Sequence, residues 1–380
     1  MDAGPHQGLG ERVPLDRSRR DAPGGHALRR HPHRPGGVGD VQRRVHQLDG
    51  GAGAAAGPAR DRGRIGRAGL AVTGPADAPP PLPSRRADGH KGTFGTVAVV
   101  GGQAGGVRMI GGPALAAIAA LRAGAGLARL VTPAPILDAA LTIAPSATGR
   151  ALPVDDAGAL VPHLAAEALD AALVGCSCVA IGPGLGVSAG SAALALRSMG
   201  QTDRPVVVDA DAINALAQTP DFARDCRAPA VWTPHPGEFG RLAGSLGIDA
   251  DAAGESAERR VAAEALAQRL GAVVVLKGAG TVVTDGLRSW VEHTADAAMA
   301  TAGTGDVLTG VIAGLVAQWA RPGARDAALD LYDCARLGVA AHARAAAIWR
   351  AERRAPFGLV AMELADLIPA ALATMAGAGA

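Results

Sequence analysis

Residues 299–314 read MATAGTGDVLTGVIAG, and the fold is read outward from this stretch. A loop of small residues, Ala302-Gly303-Thr304-Gly305, opens an apolar helix whose pattern starts at Asp306. Glycine lets the main chain approach a ligand closely. The first helical turn then presents unpaired N–H groups and the positive end of the helix dipole. Such a terminus binds anions, phosphate above all. Asp306 is the odd residue. A carboxylate suits a helix start as a cap, but beside phosphate it is repulsive. It makes chemical sense if it takes a proton from a hydroxyl that attacks the phosphate. Taken alone, the loop leaves open a plain Gly-rich turn with an Asp cap.

Upstream of this loop, short apolar runs alternate with helical segments. Thr96–Val100, Leu127–Thr132, Val179–Ile181, Pro205–Val208, Ala230–Thr233 and Ala272–Leu276 read as buried strands. Thr281–Thr284 reads as the return strand of a hairpin, while Pro113–Ala123 and Glu255–Leu270 read as helices. Val-rich runs separated by helices predict an α/β domain of three layers, a central mostly parallel sheet with helices on both faces. In such sheets the ligand crevice lies at the carboxyl ends of the strands. The chemistry-bearing residues follow those ends: Gly102, the Gly182–Gly186 loop GPGLG, Asp209 in VVDADAIN (207–214), His235 in TPHPGE (233–238), and Lys277 in KGAGT (277–281). The Asp209 and Asp211 carboxylates suit water-mediated Mg²⁺ or a hydroxyl, or a helix cap at Asp211. The prolines around His235 hold a neutral imidazole that can donate a hydrogen bond. Glu238 suits a helix cap or Mg²⁺ through water. Lys277 to Thr281 offer an ammonium and free N–H groups for a nucleotide phosphate or ribose, or else an ordinary β-turn.

Composition narrows the field. The 37 basic and 35 acidic residues leave a formal charge of +2, which argues against a nucleic-acid surface. No uncharged apolar run is long enough for a membrane span. Four scattered cysteines form no zinc or disulfide framework, so a reduced, cytoplasmic setting is expected. Only two of the basic residues are lysines, Lys91 and Lys277. Both lie beside glycine, and both suggest sites that need a compact ammonium rather than a planar fork. Residues 1–84 are rich in Arg, Gly, Pro and His without an apolar period. They read as a disordered or non-native low-complexity segment, with a stiff Pro-rich linker at 78–83. The folded domain is then 85–380. There is no Walker loop, GxSxG elbow, HExxH or CxxC pair.

In order along the chain, HKGTFGTVAVVGG (90–102), GGPALAAIAALRAGAGL (111–127), GPGLG (182–186), VVDADAIN (207–214), TPHPGE (233–238), LKGAGT (276–281) and MATAGTGDVLTG (299–310) resemble the ADP/ATP-dependent NAD(P)H-hydrate dehydratases, a branch of the ribokinase-like superfamily. The resemblance covers residues 88–375. It implies a ribokinase-like fold and a nicotinamide repair reaction. The hydroxyl of the S-form of the hydrated ring is phosphorylated, with ADP favoured over ATP as donor and Mg²⁺ screening the phosphates. Phosphate then leaves to give NAD(P)H. It further implies Asp306 as base, N–H groups of Gly303, Thr304 and Gly305 around the phosphoryl, and nucleotide contacts at Lys277, Gly278, Ala279, Gly280, Thr281 and Gly305. Hydrate contacts fall at Gly112, Gly184, Gly186, His235 and Asp306, with support from Lys91, Asp209, Asn214 and Glu238, and no residue is assigned as a metal ligand.

Three departures are visible. Gly112 stands where the family commonly has Ala. Residues 143–148, IAPSAT, lack an acidic residue after the proline. The first 84 residues are too short and polar for the epimerase domain that many members carry, so no epimerase activity is expected. A homo-oligomer, as the family's tetramers suggest, is expected to pack small-residue helices such as Pro113–Ala123 between subunits. The alternative is a ribokinase-like small-molecule kinase acting on a vitamin-precursor alcohol or sugar. Those enzymes usually carry Asn where this chain has His235.

Overall fold

A strand buried on both faces of a sheet needs no polar alternation, and the valine runs of this chain behave accordingly. TVAVV forms β1 (Thr96–Val100), buried at every position. The computed structural model describes residues 78–321 and 328–376. The reading of the N-terminal segment as disordered falls, up to residue 77, outside the described residues. After β1 come α1 (Gly111–Arg122), β2 (Leu127–Pro133), α2 (Leu137–Ile143), β3 (Thr148–Leu152), α3 (Pro162–Leu173), β4 (Cys178–Ile181), α4 (Ala189–Met199), β5 (Val206–Val208), α5 (Ala210–Ala217), β6 (Ala230–Trp232), α6 (Pro236–Leu246) and α7 (Ser256–Leu270). The chain closes with β7 (Val273–Leu276), β8 (Thr281–Thr284), β9 (Ser289–Glu292), α8 (Thr304–Trp319), α9 (Leu331–Arg353) and α10 (Ala361–Ala373).

The strands form one sheet in the order β3-β2-β1-β4-β5-β6-β7-β8-β9. Pairing is parallel from β3 to β7, and β8 and β9 run antiparallel beyond it. Alternate residues of each strand face opposite layers. Val97, Val99, Val207, Val231 and Val275 pack under α1, α2, α8, α9 and α10. Ala98, Val100, Val206, Val208 and Trp232 pack under α3 to α7. This is the ribokinase-like three-layer architecture, with the carboxyl ends of the parallel strands gathered along one edge.

Two expectations are corrected here. The small-residue face of α1 is not available to another subunit, because α8 occupies it. A Cβ added at Gly310 would lie 2.2 Å from the Ala116 carbonyl oxygen, and one at Gly314 2.6 Å from that of Ala120. Close helix packing needs such small residues, and here it is used within the chain. Second, α8 starts two residues before Asp306. Gly303, with φ +91°, is its N-cap, so Asp306 sits inside the first turn rather than capping it. The linker also takes part in the fold: the Leu82 N–H donates to the Met375 carbonyl at 2.8 Å. Among the described residues no helix is long and apolar enough to cross a membrane.

Candidate functional site

The start of α8 is held from several sides. The Thr304 hydroxyl donates to the Met299 and Thr301 carbonyls, each at 3.0 Å. His342, on α9, lies 2.9 Å from the Thr304 carbonyl through Nε2. That carbonyl can only accept, so Nε2 carries the proton. Burial pushes His342 down to about 4, and the ring is neutral. Within this frame the N–H groups of Gly305 and Asp306 have no protein acceptor among the described residues, as a helix N-terminus dictates. The Asp306 carboxyl meets α1 closely: a Cβ at Gly112 would lie 3.3 Å from Asp306 Oδ2.

Behind Asp306 is a saturated acidic group. Asp209, buried at the end of β5, accepts from Thr233 at 2.8 Å, from Thr309 at 2.7 Å and from the Lys277 ammonium at 2.6 Å. Glu238 lies 3.8 Å from the same ammonium. Burial works to lower the Lys277 pKa, but Asp209 and Glu238 outweigh it and the net shift is upward. For Asp306 the balance differs. Burial, then the like charge of Asp209, push its carboxyl up to about 7 against the pull of Lys277. A carboxyl poised there can act as a base near neutral pH.

His235 and Glu238 form the capping box of α6. His235 Nδ1 accepts from the Gly237 N–H at 2.9 Å, and Glu238 Oε2 accepts from the His235 N–H at 2.8 Å. Burial and the nearby Lys277 lower the His235 pKa. The half-exposed ring is therefore neutral, with the proton on Nε2, which lies 3.3 Å from Glu238 Oε1. In the glycine loop after β4, the Gly186 N–H donates to Asp211 Oδ2 at 2.9 Å. Asp211, in the first turn of α5, thus anchors the glycine loop, and its charge adds to the upward push on Asp306. The Gly102 N–H donates to the Pro183 carbonyl at 3.0 Å.

Two clefts flank this arrangement. One, of about 560 Å³, is lined by Lys277, Gly278, Thr281, Glu292, Gly305 and His342. The other, of about 250 Å³, is lined by Gln103, Gly105, Gly158, Leu160, Gly186 and Ser188. Of the residues read from sequence, Gly112, Asp209, Glu238, Lys277, Gly305 and Asp306 come together. Ala279 and Thr281 line the larger cleft, Gly186 lines the smaller one, and Gly184 lies against Met109. Asn214 pairs with Arg241 at 3.0 Å between α5 and α6. Lys91 is a correction. It precedes β1 and stands at the opposite edge of the parallel sheet, where a Cβ at Gly126 would strike its carbonyl. Its glycine neighbour marked a turn, not a ligand loop. His342, Thr309 and Asp211 gave no signal of this role in the sequence, because their partners are far away along the chain.

Residues 97–370 match the family model described as NAD(P)H-hydrate dehydratase. The chain belongs to the NAD(P)H-hydrate dehydratase family. It is 37% identical over 287 residues to the ADP-dependent (S)-NAD(P)H-hydrate dehydratase of Neisseria meningitidis serogroup B, covering 74% of this chain and 86% of that one. It is 38% identical over 290 residues to the bifunctional NAD(P)H-hydrate repair enzyme of Moorella thermoacetica, covering 76% of this chain and 51% of the relative. The chain thus spans about half the length of the bifunctional relatives it matches. In structure it is similar to the ADP/ATP-dependent NAD(P)H-hydrate dehydratase of Bacillus subtilis co-crystallised with ATP and Mg²⁺. The TM-score is 0.59 at 27% identity, over 78% of this chain and 95% of that one.

Whether the dehydratase site of this chain holds Mg²⁺ by itself is a question of donors. Among the described residues no three acidic, His or Cys groups form a cage. Asp209 already has three donors upon it. Among the described residues no dedicated metal site is formed, and the donors present suit Mg²⁺ as the companion of nucleotide phosphates.

Proposed function

We propose that this chain dehydrates the S-form of NAD(P)H hydrate to NAD(P)H, with ADP favoured over ATP as phosphoryl donor. The observation that carries the reading is the Asp306 carboxyl. It is held at a pKa of about 7, in the first turn of a helix with unpaired N–H groups, between two clefts. The larger cleft takes the nucleotide, its phosphates toward Gly278–Gly280 and the start of α8. The hydrate takes the side of Gly112, Gly184, Gly186 and the His235 donor. Asp306 removes the proton from the ring hydroxyl. The hydroxyl oxygen bonds to the terminal phosphorus as the bond to the bridging oxygen breaks, releasing a nucleotide shorter by one phosphate. N–H groups of Thr304 and Gly305 stabilise the charge on the transferring group. The phosphate ester then expels inorganic phosphate as the neighbouring ring carbon loses its proton, which restores the reduced nicotinamide. The ADP preference is supported by the name of the Neisseria relative.

The test is recovery of reduced-nicotinamide absorbance from purified NADH hydrate, with ADP or ATP and Mg²⁺, for wild type and Asp306→Ala. Recovery that requires nucleotide and vanishes in the variant is expected. Folded wild type that restores no absorbance with either nucleotide overturns the reading and turns attention to a small-molecule kinase.

A further inference from the structure

Beneath the KGAGT loop lies a cation that the chemistry above does not use. Arg259, on α7, is 7% exposed. Buried arginines ordinarily meet a carboxylate. Among the described residues Arg259 meets none. Its donors go to main-chain carbonyls instead: Ala252 at 2.6 Å, Leu276 at 3.2 Å and Lys277 at 3.1 Å. Its Nε is buried without a partner. The guanidinium lies directly under Gly278, where φ is +142° and a Cβ would come within 2.9 Å of it.

The peptide geometry gives this contact a consequence. A trans peptide points its carbonyl and its N–H to opposite sides. With the Leu276 carbonyl turned to Arg259, the Lys277 N–H points the other way and donates to the Pro234 carbonyl at 2.9 Å. With the Lys277 carbonyl turned to Arg259, the Gly278 N–H points away from the guanidinium in the same manner. The N–H groups of Gly278, Ala279 and Gly280 have no protein acceptor among the described residues, and Gly278 and Ala279 line the larger cleft. Consecutive free N–H groups of this kind make an anion-binding concavity.

We infer that Arg259 is a positioning residue for nucleotide phosphate: by gripping the Leu276 and Lys277 carbonyls it turns the N–H groups of the 278–280 loop toward the cleft. This rests on the reading of that cleft as the nucleotide site. The guanidinium charge, without a carboxylate partner among the described residues, acts in the same direction by favouring an anion on the far side of the loop. Neither effect reaches the base or ribose, so the phosphates alone should feel its loss.

Titration calorimetry with ADP and with adenosine separates these contributions. We compare wild type, Arg259→Met and Arg259→Lys, each shown to be folded by circular dichroism. In Arg259→Met, ADP should bind about tenfold more weakly, the worth of a charge-assisted contact. Adenosine should change less than about twofold, because it carries no phosphate. Arg259→Lys keeps the charge but reaches fewer carbonyls, so it should restore part of the ADP affinity. If Arg259→Met does not fold, the lysine variant alone decides, and the expected result is a loss for ADP that adenosine does not share. Equal weakening of both ligands, or an unchanged ratio between them, overturns the role of Arg259. Wild type that binds neither ligand overturns the nucleotide reading and this inference with it.

Discussion

Asp209 and Asp306 sit in one acidic cluster and differ in everything except side chain. Asp209 is surrounded by donors, two threonine hydroxyls and the Lys277 ammonium. Among the described residues Asp306 has no side-chain hydrogen-bond partner, and burial with the like charges around it outweighs the pull of Lys277. The first arrangement fixes a charge and builds a wall. The second leaves a proton acceptor near neutral pH. Partners, and not residue type, separate the structural carboxylate from the reactive one.

The largest effect that would break this contrast is expected at Asp306. Asp306→Asn should cut the dehydration rate by about 10³-fold or more, as loss of a general base does. The same change should stabilise the fold. The folded-state pKa of about 7 lies above the ordinary 3.8, so folding favours the protonated carboxyl. Below pH 4 the ionisation cost is absent. It grows as pH rises toward 7 and is then constant. Asn has no charge to bury, so the variant should gain on the order of 2 kcal/mol at pH 8 and little at pH 4. Thermal melts at the two pH values check this, and a variant less stable at pH 8 would mean that Asp306 is a structural anchor after all.

Asp209 should respond in the opposite sense. Asp209→Asn takes away the carboxylate that pairs directly with the buried Lys277 ammonium and leaves Glu238 and Asp306 as its acidic neighbours, and a broken buried pair costs about 3 kcal/mol. The melting temperature should fall at pH 8. Removing the like charge should also lower the Asp306 pKa. In the wild type the acid limb of the rate profile should lie near pH 7, with activity lost as pH falls through it. In Asp209→Asn that limb should move to lower pH, on an activity reduced roughly tenfold through the disturbed Lys277. An unmoved limb would separate the two carboxylates and assign the wild-type limb to another group.

The same contrast explains what the sequence made legible. The central strands could be read because parallel strands covered on both faces are continuous apolar runs: β1, β4, β5 and β7 carry little else. The edge strands β3 (TGRAL) and β9 (SWVE) could not, because neither is fully buried and their polar residues imitate loops. At the site, Gly303 to Asp306 and Lys277 to Thr281 form contiguous motifs, and a motif is visible in one dimension. His342 and Arg259 are single residues in long helices. Each acts on a main-chain carbonyl of a segment remote in sequence, Thr304 for one and Leu276 and Lys277 for the other, and helical spacing carries no trace of that. Lys91 failed for the converse reason, since a glycine-flanked lysine looks the same at either edge of a parallel sheet.

The smallest effect concerns how much room Asp306 has. Gly112 sits in the first turn of α1 with no positive φ, so its backbone suits any residue. Alanine there should favour the helix by about 0.5–1 kcal/mol. Its methyl carbon would stand 3.3 Å both from Asp306 Oδ2 and from the Pro183 carbonyl carbon, closer than most carbons sit. Pro183 is main chain and yields little, whereas the carboxyl can rotate by a few tenths of an ångström. The added methyl also removes water from the carboxyl, and desolvation raises its pKa further. Gly112→Ala should therefore melt slightly higher, lose no more than about threefold in rate, and move the acid limb upward by a fraction of a pH unit. A tenfold loss would show that the carboxyl cannot give way, and that close main-chain approach at residue 112 is part of how this chain holds its base.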